Sequence, residues 1–121
     1  MNNLVQWFEI ATNDLERAKT FYNKVFDIEF QFIEMPDSKM YMFGAPDAVG
    51  AAGCLLHSTE SKPSSDGAVI YFSCEDVAIQ AKRVEEAGGK LLFPKTDIGE
   101  FGFFAQFIDS EGNRIGLHST Q

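Results

Sequence analysis

FEIATNDLERAKTFYNKVF, residues 8–26, is the stretch whose reading decides the fold. Phe8 to Ala11 continue an apolar run that begins at residue 4, and Thr12-Asn13-Asp14 ends it with residues that close strands and open helices. Asn13 is placed to cap, and Glu16 three residues on completes a capping-box arrangement. Leu15, Ala18, Tyr22 and Val25 then recur every three or four residues, with Phe21 and Phe26 widening the stripe. That spacing puts one apolar face on a helix. The first unit is therefore a strand over 4–11 feeding an amphipathic helix.

Three apolar runs follow, at 28–35, 39–43 and 50–57. Pro36-Asp37-Ser38 and Gly44-Ala45-Pro46-Asp47 separate them, and both are made of turn residues. The segment STESKPSSDG, residues 58–67, lacks apolar residues and reads as a linker. Beyond it the order starts again. A strand at 68–74 meets Glu75-Asp76, which opens a helix with apolar positions Val77, Ala81, Val84 and Ala87, and Gly88-Gly89 ends that helix. Strands follow at 90–93, 101–108 and 113–118, the last two joined by Asp109-Ser110-Glu111-Gly112 with glycine where positive φ is needed.

The order βαβββ thus occurs twice, and short matches support a duplication. Asp14-Leu15 matches Asp76-Val77, Ala18-Lys19 matches Ala81-Lys82, and Leu56-His57-Ser58-Thr59 matches Leu117-His118-Ser119-Thr120, at separations of 61 to 63 residues. The expected fold is a single α+β domain over 1–121, with module one at 1–57 and module two at 68–121. Neither half buries its strands alone, so the two should form one curved, mostly antiparallel sheet with both helices on the convex face. The concave face is then a cup, filled by side chains or by a ligand.

Composition limits the partners. The chain has 121 residues, 45% of them hydrophobic, including twelve Phe, which suits one domain with a substantial core. A net charge of −8 repels phosphate backbones and anionic lipid, so neither nucleic acid nor a membrane surface is an expected partner. The first ten residues have no basic region, and Gln6 and Glu9 break their apolar run, which fits neither a secretory signal nor a membrane span. A cytoplasmic protein is expected. Cys54 and Cys74 lack metal-site spacing and read as two free thiols.

Residues 8–26 together with FIDSEGNRIGLHS, residues 107–119, resemble the first strand and helix and the terminal hairpin of the glyoxalase/bleomycin-resistance/extradiol dioxygenase (vicinal oxygen chelate) superfamily. The FEI strand is most similar to its lactoylglutathione-lyase-related branch. The resemblance implies the paired-module fold and a divalent metal held by His, Gln or Glu from four strands. The family's ligand positions fall here on Trp7, on Val69, on Gly116 and on Gly53 or Leu55. None of these side chains binds a metal, so no metal and no other cofactor is expected. A displaced site using His57, His118 and Glu9 is the alternative, while the plain reading of both histidines is a strand end near solvent.

Side chains alternate along strands, so residues sharing parity with those positions should face the cup. They are Trp7, Glu9 and Ala11, then Val69, Tyr71 and Ser73, then Arg114, Gly116 and His118. Trp7, Glu9, Tyr71, Ser73 and Arg114 are the expected ligand-binding set. Glu9, flanked by apolar residues, is either a buried partner of Arg114, Tyr71 or a water, or a general base with its pKa raised by desolvation. His118 can exchange protons near neutral pH. The segment KTDIGEFGFF, residues 95–104, resembles the loop at the cup mouth and is either a lid or a core-packing hairpin. Glu16, Arg17, Lys19 and Lys24 read as a solvated helix face. Two functions fit: binding of a small organic molecule in the cup without the family metal, or a lyase or isomerase on a small carbonyl compound with Glu9 or His118 as acid/base. Exposed sheet edges suggest a homodimer.

Overall fold

The computed structural model describes residues 3–121. Module one comprises β1 (Trp7–Ala11), α1 (Leu15–Phe26), β2 (Gln31–Met35), β3 (Ser38–Phe43) and β4 (Ala52–Ser58). Module two comprises β5 (Ile70–Ser73), α2 (Val77–Ala87), β6 (Lys90–Asp97), a single 3-10 turn at Gly99–Phe101, β7 (Phe103–Ile108) and β8 (Arg114–Ser119). The α+β class and the doubled βαβββ order are as the sequence predicts. Hydrogen bonding closes within each module, however, giving two four-stranded sheets ordered β1-β4-β3-β2 and β5-β8-β7-β6. In each, one pair is parallel (β1 with β4, β5 with β8) and the other two pairs are antiparallel. β1 and β5 are therefore both edges, and the groove between modules runs along them.

The expected alternation holds. Phe8 and Ile10 join the core beneath the helices, whereas Trp7 and Glu9 on the other parity are exposed. Ile115 and Leu117 are buried in that same core. Phe72 packs on Phe8, Tyr22, Phe26 and Phe43 with ring centroids 4.8–6.3 Å apart, fastening module two to module one. Aromatic pairs of this kind contribute about 0.5–1.5 kcal/mol each beyond their area. On its opposite face, module one carries a second apolar cluster of Met40, Cys54 and Leu56, with Ile33 against it.

The register corrects the internal alignment. Ile10 pairs with Leu55 as Phe72 pairs with Leu117, and the N–H of Thr12 donates to Leu56 O as that of Cys74 donates to His118 O. Each correspondence is 62 residues. The Leu-His-Ser-Thr match at 61 is thus one residue out of step: His118 corresponds to Leu56, and Gly116 to Cys54. A one-residue slip moves a strand side chain to the other face, so His57 and His118 are not equivalent.

Helix starts and loop ends also differ from expectation. Asp14, not Asn13, is the N-cap of α1, its extended backbone letting Oδ1 accept the Arg17 N–H at 3.0 Å. The N–H groups of Asn13 and Asp14 donate instead to Glu111 Oε1 at 2.9 and 2.8 Å. Glu111 belongs to the β7–β8 turn of module two, so that turn caps the helix of module one. Arg17 donates to both Glu111 oxygens, at 2.8 and 3.1 Å. Beside it, buried Asp109 accepts four hydrogen bonds: from the Tyr22 hydroxyl at 2.6 Å, from the N–H groups of Glu111 and Asn113, and from Asn113 Nδ2. Asn113 Nδ2 also donates to Ala11 O, and its Oδ1 accepts the Ser64 N–H from the linker. Burial alone would raise the Glu111 carboxyl, but Arg17, the helix-start amides and Ser110 outweigh it and hold the group below the usual carboxylate range. Tyr22 is pushed well above its ordinary value by burial and by Asp109.

Of the α1 charges, Glu16, Arg17 and Lys24 are exposed as a solvated face requires, and three of the set also have partners beyond the helix. Arg17 is bound to Glu111, Glu16 accepts the Tyr41 hydroxyl, and Lys19 Nζ lies 4.9 Å from the centre of the Tyr41 ring. Residues 95–104 divide among the end of β6, the 3-10 turn and the start of β7 rather than forming one loop. Phe101 at its tip is 70% exposed, and Phe103 packs on the core.

Candidate functional site

The edges β1 and β5 face a cavity of about 860 Å³, within the range of small-molecule sites. Trp7, Phe8 and Glu9 line one side, Val69, Ile70, Tyr71, Phe72 and Ser73 the other. Phe26, Ile28 and Phe43 extend it toward the helices, and Val49, Gly50 and Ala51 of the β3–β4 turn border it. Glu9 is the sole charged residue among those lining it. Four of the expected ligand-binding residues, Trp7, Glu9, Tyr71 and Ser73, are thus brought together here. Arg114 is set apart from this cavity and shares with Glu9, Lys62 and Ser64 a smaller one of about 160 Å³ at the linker end of the same groove.

Glu9 is exposed, so the expected desolvation of a buried carboxylate is corrected. Its partner is Trp7, whose indole Nε1–H donates to Oε2 at 3.3 Å, rather than Arg114 or Tyr71. Trp7 and Tyr71 keep 40% and 46% of their surface open, enough to offer ring faces to a ligand. Across β8 the Tyr71 ring lies over Gly116, where an added Cβ would collide with ring atoms Cδ2 and Cε2. Its hydroxyl accepts from Gln106 Nε2 at 2.6 Å, and Gln106 Oε1 accepts from Arg114 at 3.2 Å. His118 is turned elsewhere. Its Nε2 sits 2.6 Å from the Phe101 carbonyl oxygen, which only accepts, so Nε2 carries the hydrogen. His57 lies over Thr12 O at 3.2 Å, on the helix-side parity of β4. Among the described residues, no three or more His, Cys, Asp or Glu side chains gather as a metal site, and His57, His118 and Glu9 do not meet.

The glyoxalase/bleomycin resistance protein/dioxygenase superfamily model matches residues 4–117. The chain belongs to that superfamily. Among curated relatives of this superfamily member, the anthracycline biosynthesis protein DnrV of Streptomyces peucetius is 25% identical over 118 residues, which cover 88% of this chain and 43% of the relative. The Mycobacterium bovis protein CFP32, provisionally named a glyoxylase, is 24% identical over 106 residues, covering 88% of this chain and 40% of its own. The chain thus spans about two fifths of the curated relatives it matches. Glyoxalase I from Zea mays superposes with a TM-score of 0.72 at 19% identity, over 94% of this chain and 45% of that one. The glyoxylase/bleomycin resistance protein/dioxygenase domain from Frankia sp. EAN1pec gives 0.76 at 14% identity over the full length of both.

At the positions where the superfamily resemblance implies metal ligands, this chain offers few donor atoms. With the 62-residue register applied, those positions are Trp7, Cys54, Val69 and Gly116; Gly53 and Leu55 face the helices instead. The one donor is the Cys54 thiol, fully buried and pushed up to about 12 by burial and by the Glu9 charge. A protonated buried thiol, joined at the other three positions only by an indole, an isopropyl group and a glycine, does not fit a hard or borderline divalent ion. Cys54 and Cys74 are both free. Signals for the β7–β8 turn network were present in the sequence only as turn formers, because nothing local marks Glu111 as a helix cap 97 residues away.

Proposed function

We propose that the chain binds a small, uncharged or cationic organic molecule in the cavity between β1 and β5, and that it does so without the superfamily's divalent metal. The observation that carries this reading is the cavity wall itself: aromatic faces of Trp7 and Tyr71 with Glu9 as the one charge. An anion would be repelled by Glu9, whereas a flat neutral or cationic body gains apolar and cation–π contact. Kinship with the lactoylglutathione-lyase-related branch rests on the FEI strand. No helix among the described residues is long and apolar enough to cross a membrane. Exposed Leu4, Val5 and Val49 beside the open edges favour a homodimer, which sedimentation would measure. The test of binding is a thermal-shift screen of neutral, cationic and anionic compounds followed by calorimetry. Hits restricted to neutral and cationic compounds, with unchanged affinity in chelator, support the reading; hits that require added metal overturn it.

A second reading, a lyase or isomerase on a small carbonyl compound, is favoured by Glu9, a carboxylate in the cavity wall with Trp7 as its hydrogen-bond partner. His118 lines neither of the two groove cavities. If a compound from the screen is turned over, Glu9→Gln should lower the rate about a hundredfold or more, as loss of a general base does. An unchanged rate would remove Glu9 from the chemistry.

A further inference from the structure

Hydrogen-bond direction around Tyr71 is fixed by chemistry alone. Arg114 can only donate, so the Gln106 atom facing it at 3.2 Å is the carbonyl oxygen Oε1. The other end of the amide, Nε2, therefore faces Tyr71 and can only donate, which makes the Tyr71 oxygen an acceptor at 2.6 Å. The Tyr71 hydroxyl hydrogen is left pointing away from Gln106, and nothing among the described residues accepts it. A chain that begins at a guanidinium polarises each successive donor, so this hydrogen is a strengthened one.

Position gives this donor a use. The Tyr71 ring starts in the cavity wall at β5 and crosses Gly116 on β8, and its hydroxyl meets Gln106 on β7. Gly116, Gln106 and Arg114 do not line the cavity, so a flat molecule that reaches the hydroxyl has to extend from the cavity along the ring and over Gly116. Gly116 is what allows the ring to lie there, since any side chain at 116 would displace it. No Lys, Arg or His lines the cavity, and Glu9 does, so the ligand body held there should carry no negative charge, while the nearby Arg114 guanidinium is already engaged by Gln106 Oε1.

Building on the proposed binding function, we infer that Tyr71, oriented by Gln106 and Arg114, donates a hydrogen bond to the ligand, and that the preferred ligand is an uncharged, flat compound bearing a carbonyl oxygen. Gln106 and Arg114 are positioning residues; Tyr71 is the contact.

The test uses the indole N–H signal of Trp7, the single tryptophan, in proton–nitrogen correlation spectra of the full chain. Three probes are titrated: para-hydroxyacetophenone, para-ethylphenol, which lacks only the carbonyl oxygen, and para-hydroxybenzoate, its anionic counterpart. The ketone should bind about tenfold tighter than the ethyl compound, the scale of one well-placed hydrogen bond. Tyr71→Phe should erase that advantage while leaving ethylphenol binding within about twofold, and Gln106→Leu should reduce it. An equal affinity for ketone and ethyl compound in the wild type, or an advantage that survives Tyr71→Phe, overturns the donor role while the binding reading stands. Tighter binding of the benzoate overturns the uncharged class. If no probe moves the Trp7 signal, the binding reading itself fails for flat neutral compounds, and this inference fails with it.

Discussion

The two modules join their third and fourth strands by turns of opposite fate. In module two, Asp109 to Asn113 carries a buried Asp, a buried Glu, Gly112 at φ 100° and a buried Asn, and it clasps the start of α1. The matching turn of module one is closed by the Ala48 N–H donating to Ala45 O, as the Gly112 N–H donates to Asp109 O, and its run on to β4, through Gly50 at φ 89°, is longer. There Ala45 stands in the place of Asp109 and exposed Asp47 in the place of Glu111, and Val49 beyond them is fully exposed. The β-turn has been kept and the clasp has not. The cavity opens beside that unclasped turn, whose Val49, Gly50 and Ala51 border it. Duplication supplied two equivalent ends, and only one of them is locked.

That difference can be broken at its strong end first. Asp109→Ala strips partners from four buried donors and should destabilise the chain by about 3–5 kcal/mol, or prevent folding, in urea denaturation. Asp47→Ala in the open turn should change stability by less than about 0.5 kcal/mol. Equal effects would erase the contrast. Glu111→Gln is the next largest, about 2 kcal/mol at neutral pH, because it removes charge-assisted bonds to Arg17 and to the helix start. Since the native Glu111 carboxyl is held below its unfolded value, its contribution is complete above the ordinary carboxylate range and disappears as pH falls through the depressed native value. The difference in stability between wild type and Glu111→Gln should therefore shrink on acidification. A difference that stays constant with pH would contradict the role given to its charge.

Smaller changes probe the site. Gly116→Ala should cost about 1–2 kcal/mol by pushing the Tyr71 ring off β8, the scale of overpacking, and should weaken ligand binding with it. Glu9→Gln should leave stability within about 0.5 kcal/mol, because Glu9 is exposed and bonded only to Trp7. It should still move the Trp7 indole N–H signal, and a signal that stays in place would mean the Trp7–Glu9 bond is not formed in solution.

Much of this architecture was legible in the sequence because strands and helices declare themselves by period. Phe8 and Ile10 against Trp7 and Glu9, and the apolar stripe of α1, fell on the faces expected of them. What could not be read were contacts between residues far apart in the chain. Asn13 reads as a helix cap, yet Glu111 takes its N–H, and the exposed Glu16 and Arg17 carry no local sign of their partners Tyr41 and Glu111. Register was the other gap. The tetrapeptide match at 61 residues was more eye-catching than the true correspondence at 62, and that single residue moved the counterpart of Gly116 from Leu55 to Cys54. The candidate cavity was legible as a set of faces, whereas the Tyr71–Gln106–Arg114 chain depends on a glycine on β8, the strand between the tyrosine and the glutamine.

The central claim is that the open groove between the modules takes an organic ligand unaided by metal. Its most direct test is a titration of para-hydroxyacetophenone into chelator-treated protein, read at the Trp7 indole N–H, and repeated after adding zinc, nickel or manganese. A saturable shift with the same affinity in all samples is the predicted result. A shift that appears only with a metal present would contradict the claim.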